Sequence, residues 1–420
     1  MLNPHLDDGD VRLYLADCID AMRELPADSV DAIVTDPPYG LEFMGKEWDR
    51  PWAVTPEARV GYAGRDDLRL PSHRDNRNAN CRACGGRQRG AKRCKCDAPD
   101  WDRAPSTDMH AFQSWCESWA REALRIAKPG AHLAAFGGPR TFHRLTAGIE
   151  DAGWEIRDCL AWNYGSGFPK SLNLPGGLGT ALKPAWEPII LARKPLAGTV
   201  AANVLAHGTG ALNIDATRID GTKAQRGERR TALGRVNDDG WKPKPVRADD
   251  ASGRWPANVV LDPEAAKLLD EQTGDLPAGV AVNRNKRGGM AAGATSAATA
   301  AGGFAHRQEA GSDVTYGDSG GASRFFYTAK ADAEERVAPD GTRIGHPTLK
   351  PTDLMRWLVR LVTPPGGLVL DPFAGSGSTG VACRAEGFRC VLIEREDEYA
   401  AYIRARLSQP TLFTEECRNG

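Results

Sequence analysis

Two stretches near opposite ends of this 420-residue chain carry residue types that do chemistry. Asp36-Pro37-Pro38-Tyr39 follows the β-prone run Val30 to Thr35, and Asp371-Pro372-Phe373-Ala374-Gly375-Ser376-Gly377-Ser378-Thr379-Gly380 follows Leu368 to Leu370. Two prolines in succession cannot continue a strand, so Asp36 and the carbonyl of Pro37 sit in a loop as preset hydrogen-bond acceptors, beside the aromatic face of Tyr39. Gly375, Gly377 and Gly380 have G-x-G-x-x-G spacing between a strand and a helix, which lets backbone approach a nucleotide at a helix N-terminus. Glu394 ends the next strand, where a carboxylate can accept from ribose hydroxyls. A third constellation, Cys81-x2-Cys84-x9-Cys94-x-Cys96, brings four thiolates close together in a glycine- and arginine-rich segment with little to bury. A structural zinc site made of these four cysteines, closed and non-catalytic, would explain how that segment folds; free surface thiols are the alternative.

Alternating strands and helices must position these loops. Strands are expected at 11–15, 30–35, 132–136, 154–162, 187–192, 368–370 and 390–393, with helices near 18–25, 110–127, 139–152, 352–363 and after Gly380. Pro129-Gly130 is expected to stop the second helix. That alternation predicts an α/β fold with a mostly parallel sheet covered on both faces. Residues 45–107 and about 196–320 lose periodicity, and 288–303 (GGMAAGATSAATAAGG) has the composition of a mobile loop. Only 40 residues follow Gly380, enough for one more strand and helix. The other strands of a nucleotide-binding sheet must therefore come from the N-terminal half, including those leading to Asp17 and Asp36. The sheet is read as circularly permuted, with its nucleotide-binding start near the chain's end.

Asp36-Pro37-Pro38-Tyr39 followed far downstream by Asp371-Pro-Phe-Ala-Gly-Ser-Gly-Ser resembles the amino-methylating DNA methyltransferases. The order, with the Asp-Pro-Pro-Tyr loop first and the glycine loop last, is similar to the β class of that family, and His346-Pro-Thr-Leu-Lys-Pro351 resembles its additional cofactor motif. The resemblance covers about 11–44, 110–195 and 345–407. It implies a circularly permuted Rossmann-like methyltransferase sheet, S-adenosyl-L-methionine as methyl donor, double-stranded DNA as substrate, and direct attack by a base amine with no covalent enzyme intermediate. It also implies that Asp36, Pro37, Pro38 and Tyr39 are catalytic. The implied cofactor residues are Asp17, Thr348, Lys350, Asp371, Phe373, Gly375, Ser376, Gly377, Ser378 and Glu394.

That chemistry agrees with the residue types. An exocyclic amine delocalises its lone pair into the ring, and acceptors for its N–H groups favour a pyramidal, nucleophilic nitrogen. Tyr39 would stack on a base that has left the duplex, worth about 1–3 kcal/mol and comparable to the cost of unstacking. The implied organisation is 1–44 with 108–195 as the catalytic half and 321–420 as the cofactor half. Residues 45–107 are an insert with the zinc segment, and 196–320 is a variable target-recognition region.

The net charge of −1 does not announce a nucleic acid, but basic stretches are local. Residues 65–103 hold eleven Lys/Arg against six Asp, and 218–254 hold ten against six acids, which suits phosphate contact. No apolar run approaches the roughly 18 residues of a membrane span, and the polar, acidic N-terminus does not look like a secretion signal. A cytoplasmic protein with reduced thiols is expected.

Several alternatives stay open. The 4-amino group of cytosine would undergo the same reaction; many such enzymes carry Ser where Asp36 stands, which favours the 6-amino group of adenine. The glycine loop by itself also suits a nicotinamide-dependent oxidoreductase, which would leave the Asp-Pro-Pro-Tyr loop unexplained. An inactive zinc-containing DNA-binding protein and an RNA substrate are further alternatives. A homodimer and a cognate restriction endonuclease are open as partners.

Overall fold

In the computed structural model, residues 3–40, 80–81, 95–96, 101–102, 109–167, 174–221, 253–277, 318–329, 333–345 and 349–408 are described. The strands of the main sheet are β1 (Leu6–Asp7), β2 (Val11–Leu15), β3 (Val30–Thr35), β4 (Ala127–Phe136), β5 (Glu155–Asn163), β6 (Trp186–Arg193), β7 (Val259–Leu261), β8 (Tyr327–Thr328), β9 (Leu368–Asp371) and β10 (Arg389–Glu394). The helices are α1 (Cys18–Glu24), α2 (Met109–Ile126), α3 (Phe142–Asp151), α4 (Val200–His207), α5 (Pro263–Thr273), α6 (Thr352–Val362), α7 (Ser378–Ala385) and α8 (Asp397–Leu407).

The strands lie in the order β1-β2-β10-β9-β3-β4-β6-β5-β7-β8. β2, β10, β9, β3 and β4 are mutually parallel, whereas β6 runs against both β4 and β5. The sheet is thus mixed, and the strand bearing the glycine loop sits in its centre between β3, from the first 35 residues, and β10, near the chain's end. Period-2 alternation sends side chains to two helical layers. Ala32, Val34, Val369 and Leu392 pack with Leu354, Trp357, Leu358 and Ile403 of α6 and α8. Ile33, Leu133, Leu370 and Ile393 pack with Met22, Phe112, Trp119 and Ile149 of α1, α2 and α3. Such double coverage is why β3, β9 and β10 read as nearly continuous apolar runs.

Parallel pairing aligns strand ends. Thr35 lies opposite Ala135, Asp371 opposite Leu392, and Glu394 opposite Leu15, so the loops after β3, β9, β10 and β2 leave one edge of the sheet. β6 reaches the same edge with its N-terminal end, because it is inverted.

The strand expected at 132–136 starts at Ala127. Helix α2 ends at Ile126, just ahead of the expected Pro129-Gly130 stop, and the strand runs on through that pair; pairing jumps from Val30↔Ala127 to Ala32↔His132, and Gly130, at φ 78°, turns the extra residues out of register. The region 196–320 was expected to be without pattern, yet it contributes α4, α5 and β7, with β7 extending the main sheet. These elements are short, and helix α5 is announced mainly by its Asp262 cap, whose side chain accepts from Ala265 N–H. The 288–303 segment lies outside the described residues. Among the described residues, no helix is long and apolar enough to cross a membrane.

Candidate active site

The loops leaving the common sheet edge enclose one cleft that opens to solvent on one side. Asp36, Pro37, Pro38 and Tyr39 line one end; Asp371, Phe373, Gly375, Ser376, Ser378, Glu394 and Asp17 line the other. Residues from opposite ends of the sequence therefore face one space.

On the glycine-loop side, a buried carboxylate supports the turn. Asp371 accepts from Thr35 Oγ1 at 2.6 Å, from Thr379 Oγ1 at 2.5 Å and from Phe373 N–H at 3.0 Å. Burial pushes its pKa up to about 6, although those three donors oppose the rise. It ties β3, β9 and α7 together beneath the cleft. Phe373 wedges its ring between Trp115 and Trp119 of α2, with centroids at 5.5 and 5.4 Å, which anchors the loop's first turn on the helical layer.

Gly375, at φ 52°, donates its N–H to Glu394 Oε2 at 2.7 Å, while Glu394 Oε1 accepts from the N–H groups of Arg395 and Glu396, each at 2.8 Å. Burial raises the Glu394 pKa to about 7 against these donors. Glu394 therefore lines the cleft and clamps the glycine loop at once. Gly380 lies against β10: an added Cβ would meet Leu392 Cδ1 at 2.7 Å, so a side chain there would require Leu392 to shift. Asp17 is exposed and caps α1, accepting from Ile19 N–H at 2.9 Å.

The Asp-Pro-Pro-Tyr side is built around Lys350. Its ammonium lies 2.8 Å from Asp36 Oδ2 and 3.2 Å from Glu187 Oε2, and donates to the Tyr39 hydroxyl at 3.0 Å. It also sits 4.9 Å from the ring centre of Phe136 and 5.3 Å from that of Tyr39. Tyr39 in turn donates its hydroxyl to Glu187 Oε2 at 3.1 Å. Burial, then the charges of Asp36 and Glu187, hold the phenol well above its usual pKa, so it stays neutral. Thr141 Oγ1 donates to the Tyr39 carbonyl at 2.6 Å, and Gly138 packs so close that an added Cβ would meet the ring at 3.1 Å. The remaining oxygen of Asp36, Oδ1, is buried and has no hydrogen-bond partner among the described residues.

A sequence profile of the DNA methylase family, for enzymes of the N6/N4 class, matches residues 30–405. This chain belongs to the N6/N4 DNA methylase family. The Type II methyltransferase M.HindIII of Haemophilus influenzae is 25% identical over 219 residues, which make up 48% of this chain and 64% of that protein. M2.DpnII of Streptococcus pneumoniae, also a Type II methyltransferase, is 44% identical over 62 residues, 15% of this chain and 23% of that one. The chain thus spans less than two thirds of the length of either. Among solved structures, the cytosine-N4-specific PvuII DNA methyltransferase aligns at a TM-score of 0.46 and 13% identity, covering 98% of this chain and 91% of that chain. A complex of M1.HpyAVI with SAM aligns at 0.38 and 14%, covering 94% of this chain and 100% of that chain.

Not every residue expected at the site lies in the cleft wall. Gly377 does not line it; at φ 79° it opens α7, and its missing Cβ faces Ile403 at 3.0 Å. Lys350, expected beside the cofactor, does line the cleft: its carbonyl accepts from Ser378 Oγ of the glycine loop at 3.1 Å, while its ammonium points into the Asp36–Tyr39 cluster. Thr348 and His346 lie outside the described residues, as do Cys84, Cys94 and the side chain of Cys81; Cys96 alone of the four is described in full. Among the described residues no group of three or more His, Cys, Asp or Glu is placed to hold a metal.

Two contributors were not anticipated. Glu187 opens an apolar strand and looks from sequence like a solvated strand-end acid. Arg406, on the last helix, donates to the Ser376 carbonyl at 2.9 Å and to Ser378 Oγ at 3.0 Å, bracing the loop from beneath. No local pattern in the sequence joins Arg406 to that loop.

Proposed function

We propose that this chain transfers a methyl group from S-adenosyl-L-methionine to an exocyclic amine of a base in double-stranded DNA, the 6-amino group of adenine. The observation that carries this reading is Asp36 Oδ1: a buried acceptor with no donor among the described residues, on the wall of the same cleft as the glycine loop. An unpaired buried acceptor costs about 1–3 kcal/mol, a cost that an entering amine N–H would offset.

The residues present suit the cofactor. Gly375 exposes backbone at positive φ, Glu394 and Asp17 stand as carboxylates on the wall beside it, and Phe373 is fixed by its tryptophans. When bound, S-adenosyl-L-methionine supplies an electrophilic methyl group on a sulfonium. Asp36 Oδ1 and the Pro37 carbonyl would accept from the target amine and aim its lone pair at that methyl, and the prolines fix both acceptors in advance. The amine would receive that methyl, leaving the cofactor a neutral thioether, and would release one proton to solvent. Tyr39, kept neutral and seated on Gly138, supplies a stacking face for the extruded base.

Adenine over cytosine rests on Asp36 in place of Ser. The circularly permuted Rossmann-like reading rests on the position of β9 between β3 and β10. The cysteine segment 81–96 is assigned a structural zinc on its spacing alone. Asp36→Ala should abolish tritium transfer from labelled cofactor to DNA while cofactor affinity stays within threefold; turnover by that variant would end the assignment. Sequencing DNA from cells that express the protein, by a method that reports modified bases, distinguishes adenine from cytosine.

A further inference from the structure

Glu187 has no role in the chemistry just described, yet it is the second carboxylate of the cleft's buried cluster. It enters near the head of inverted β6, opposite Trp162 of β5, and Phe136 of β4 turns its ring toward the same ammonium. One of its oxygens, Oε2, both accepts from Tyr39 and pairs with Lys350. The Lys350 side chain is 6% exposed, and those of Asp36 and Glu187 are 18% and 20% exposed. Charges so far from water are held only by close pairing. The cluster contains two carboxylates and one ammonium, a net charge of −1, and it faces the place where the attacking nitrogen becomes positive.

We infer that Glu187 is a positioning residue for methyl transfer: through Lys350 and Tyr39 it fixes Asp36 with Oδ2 engaged and Oδ1 left for the amine. Without Glu187 the ammonium has one carboxylate partner instead of two, and nothing holds it midway between them. It would then swing over Asp36 and compete with the base amine for Oδ1. Glu187 also sets the tilt of the Tyr39 ring, since the phenol donates to it. Burial by itself would push the Lys350 ammonium toward neutrality, but the charges of Asp36 and Glu187 outweigh it and hold its pKa above the usual lysine value. The cluster is therefore a self-consistent unit in which each charge depends on the others. This role rests on the proposed amine methylation.

The experiment uses the full chain, tritiated S-adenosyl-L-methionine and long amplified DNA, which carries no methylation. Cofactor affinity is measured on the same preparations. Glu187→Gln preserves shape, so the initial rate at saturating DNA should fall at least tenfold while cofactor Kd stays within threefold. Lys350→Met removes the cation shared by two carboxylates; like charges then raise their affinity for protons, and the acid limb of the rate–pH profile should move to higher pH. Adding Glu187→Gln to Lys350→Met removes the repelling charge, so the limb should move back and the rate at neutral pH should exceed that of Lys350→Met alone. A purely structural role would lower rates without moving the limb and would make the double variant worse. Full wild-type rate in Glu187→Gln, or an unmoved limb in Lys350→Met, overturns the inference. If Lys350→Met does not fold, the isosteric Glu187→Gln carries the test alone. Absence of any transfer by the unaltered protein would instead sink the functional reading.

Discussion

Replacing Glu394 by glutamine removes a single titration from the centre of the proposed cofactor site. The residue is 8% exposed, and its two oxygens accept three backbone N–H groups. Burial nevertheless raises its pKa from 4.5 to about 7. Between those values the folded chain holds a proton that the unfolded chain has released. Stability is therefore lost as pH rises; the contribution is complete below 4.5 and gone above about 7. At about 1.4 kcal/mol per pH unit, the loss amounts to about 3 kcal/mol. Glutamine does not titrate. It keeps one acceptor but turns an amide donor toward the other backbone N–H groups, a pH-independent penalty of about 1–3 kcal/mol.

The stability advantage of the natural protein over Glu394→Gln should therefore shrink by about 3 kcal/mol from about pH 4.5 to about pH 7.5. Asp371, raised to about 6, titrates in the same window, but it is present in both proteins and cancels in the difference. Urea unfolding of both proteins at a series of pH values measures that difference directly. Parallel stability curves for the two proteins would refute the argument that burial, and not the three donors, governs this carboxylate.

Two further predictions follow from the glycine loop and the cysteines. Gly377→Val forces a β-branched residue into a left-handed conformation, costing about 1–2 kcal/mol, and sets its Cβ against Ile403. Because Gly377 does not line the cleft, cofactor affinity should drop about tenfold only through displaced Ser376 and Ser378, with DNA binding in a gel-shift assay unchanged; unaltered cofactor affinity would show that the loop's shape does not matter. Elemental analysis of the purified protein should find one zinc per chain, lost on alanine replacement of Cys81 and Cys84; a metal-free preparation would refute the zinc assignment.

The sequence revealed what depends on local backbone chemistry. Prolines 37 and 38 cannot continue a strand, and three glycines at fixed spacing mark a strand-to-helix turn, so both loops are legible in the sequence alone. Their meeting in one cleft also followed, from counting how few strands fit after Gly380. What the sequence hid depends on strand direction. Glu187 reads as an ordinary polar residue at the start of an apolar run, and it reaches the cleft only because β6 is inverted between β4 and β5. The destination of Lys350 was hidden for the same reason: its partners are Asp36, far upstream, and a residue on that inverted strand.

The inversion has a chemical consequence. A C-terminal strand edge collects loop residues, whose side chains are held by turns and caps. The N-terminal end of an antiparallel strand inserts into that edge a side chain whose backbone is set by the ladder: Glu187 lies opposite Trp162 of β5, and the carbonyl of the adjacent Pro188 accepts from Gly137 N–H just after β4 at 2.9 Å. Glu187 is thus fixed by sheet backbone, whereas Asp36 and Lys350 are carried on loops. If one member of a three-charge cluster is to set the position of the others, the one on the ladder is the member best able to do so. The same reasoning ranks substitutions around it. Changes at Ile189 or Phe136, which pair across the β4–β6 ladder, should disturb transfer through the placement of Glu187, whereas changes of similar size at the exposed stretch Arg157 to Cys159 of β5 should not.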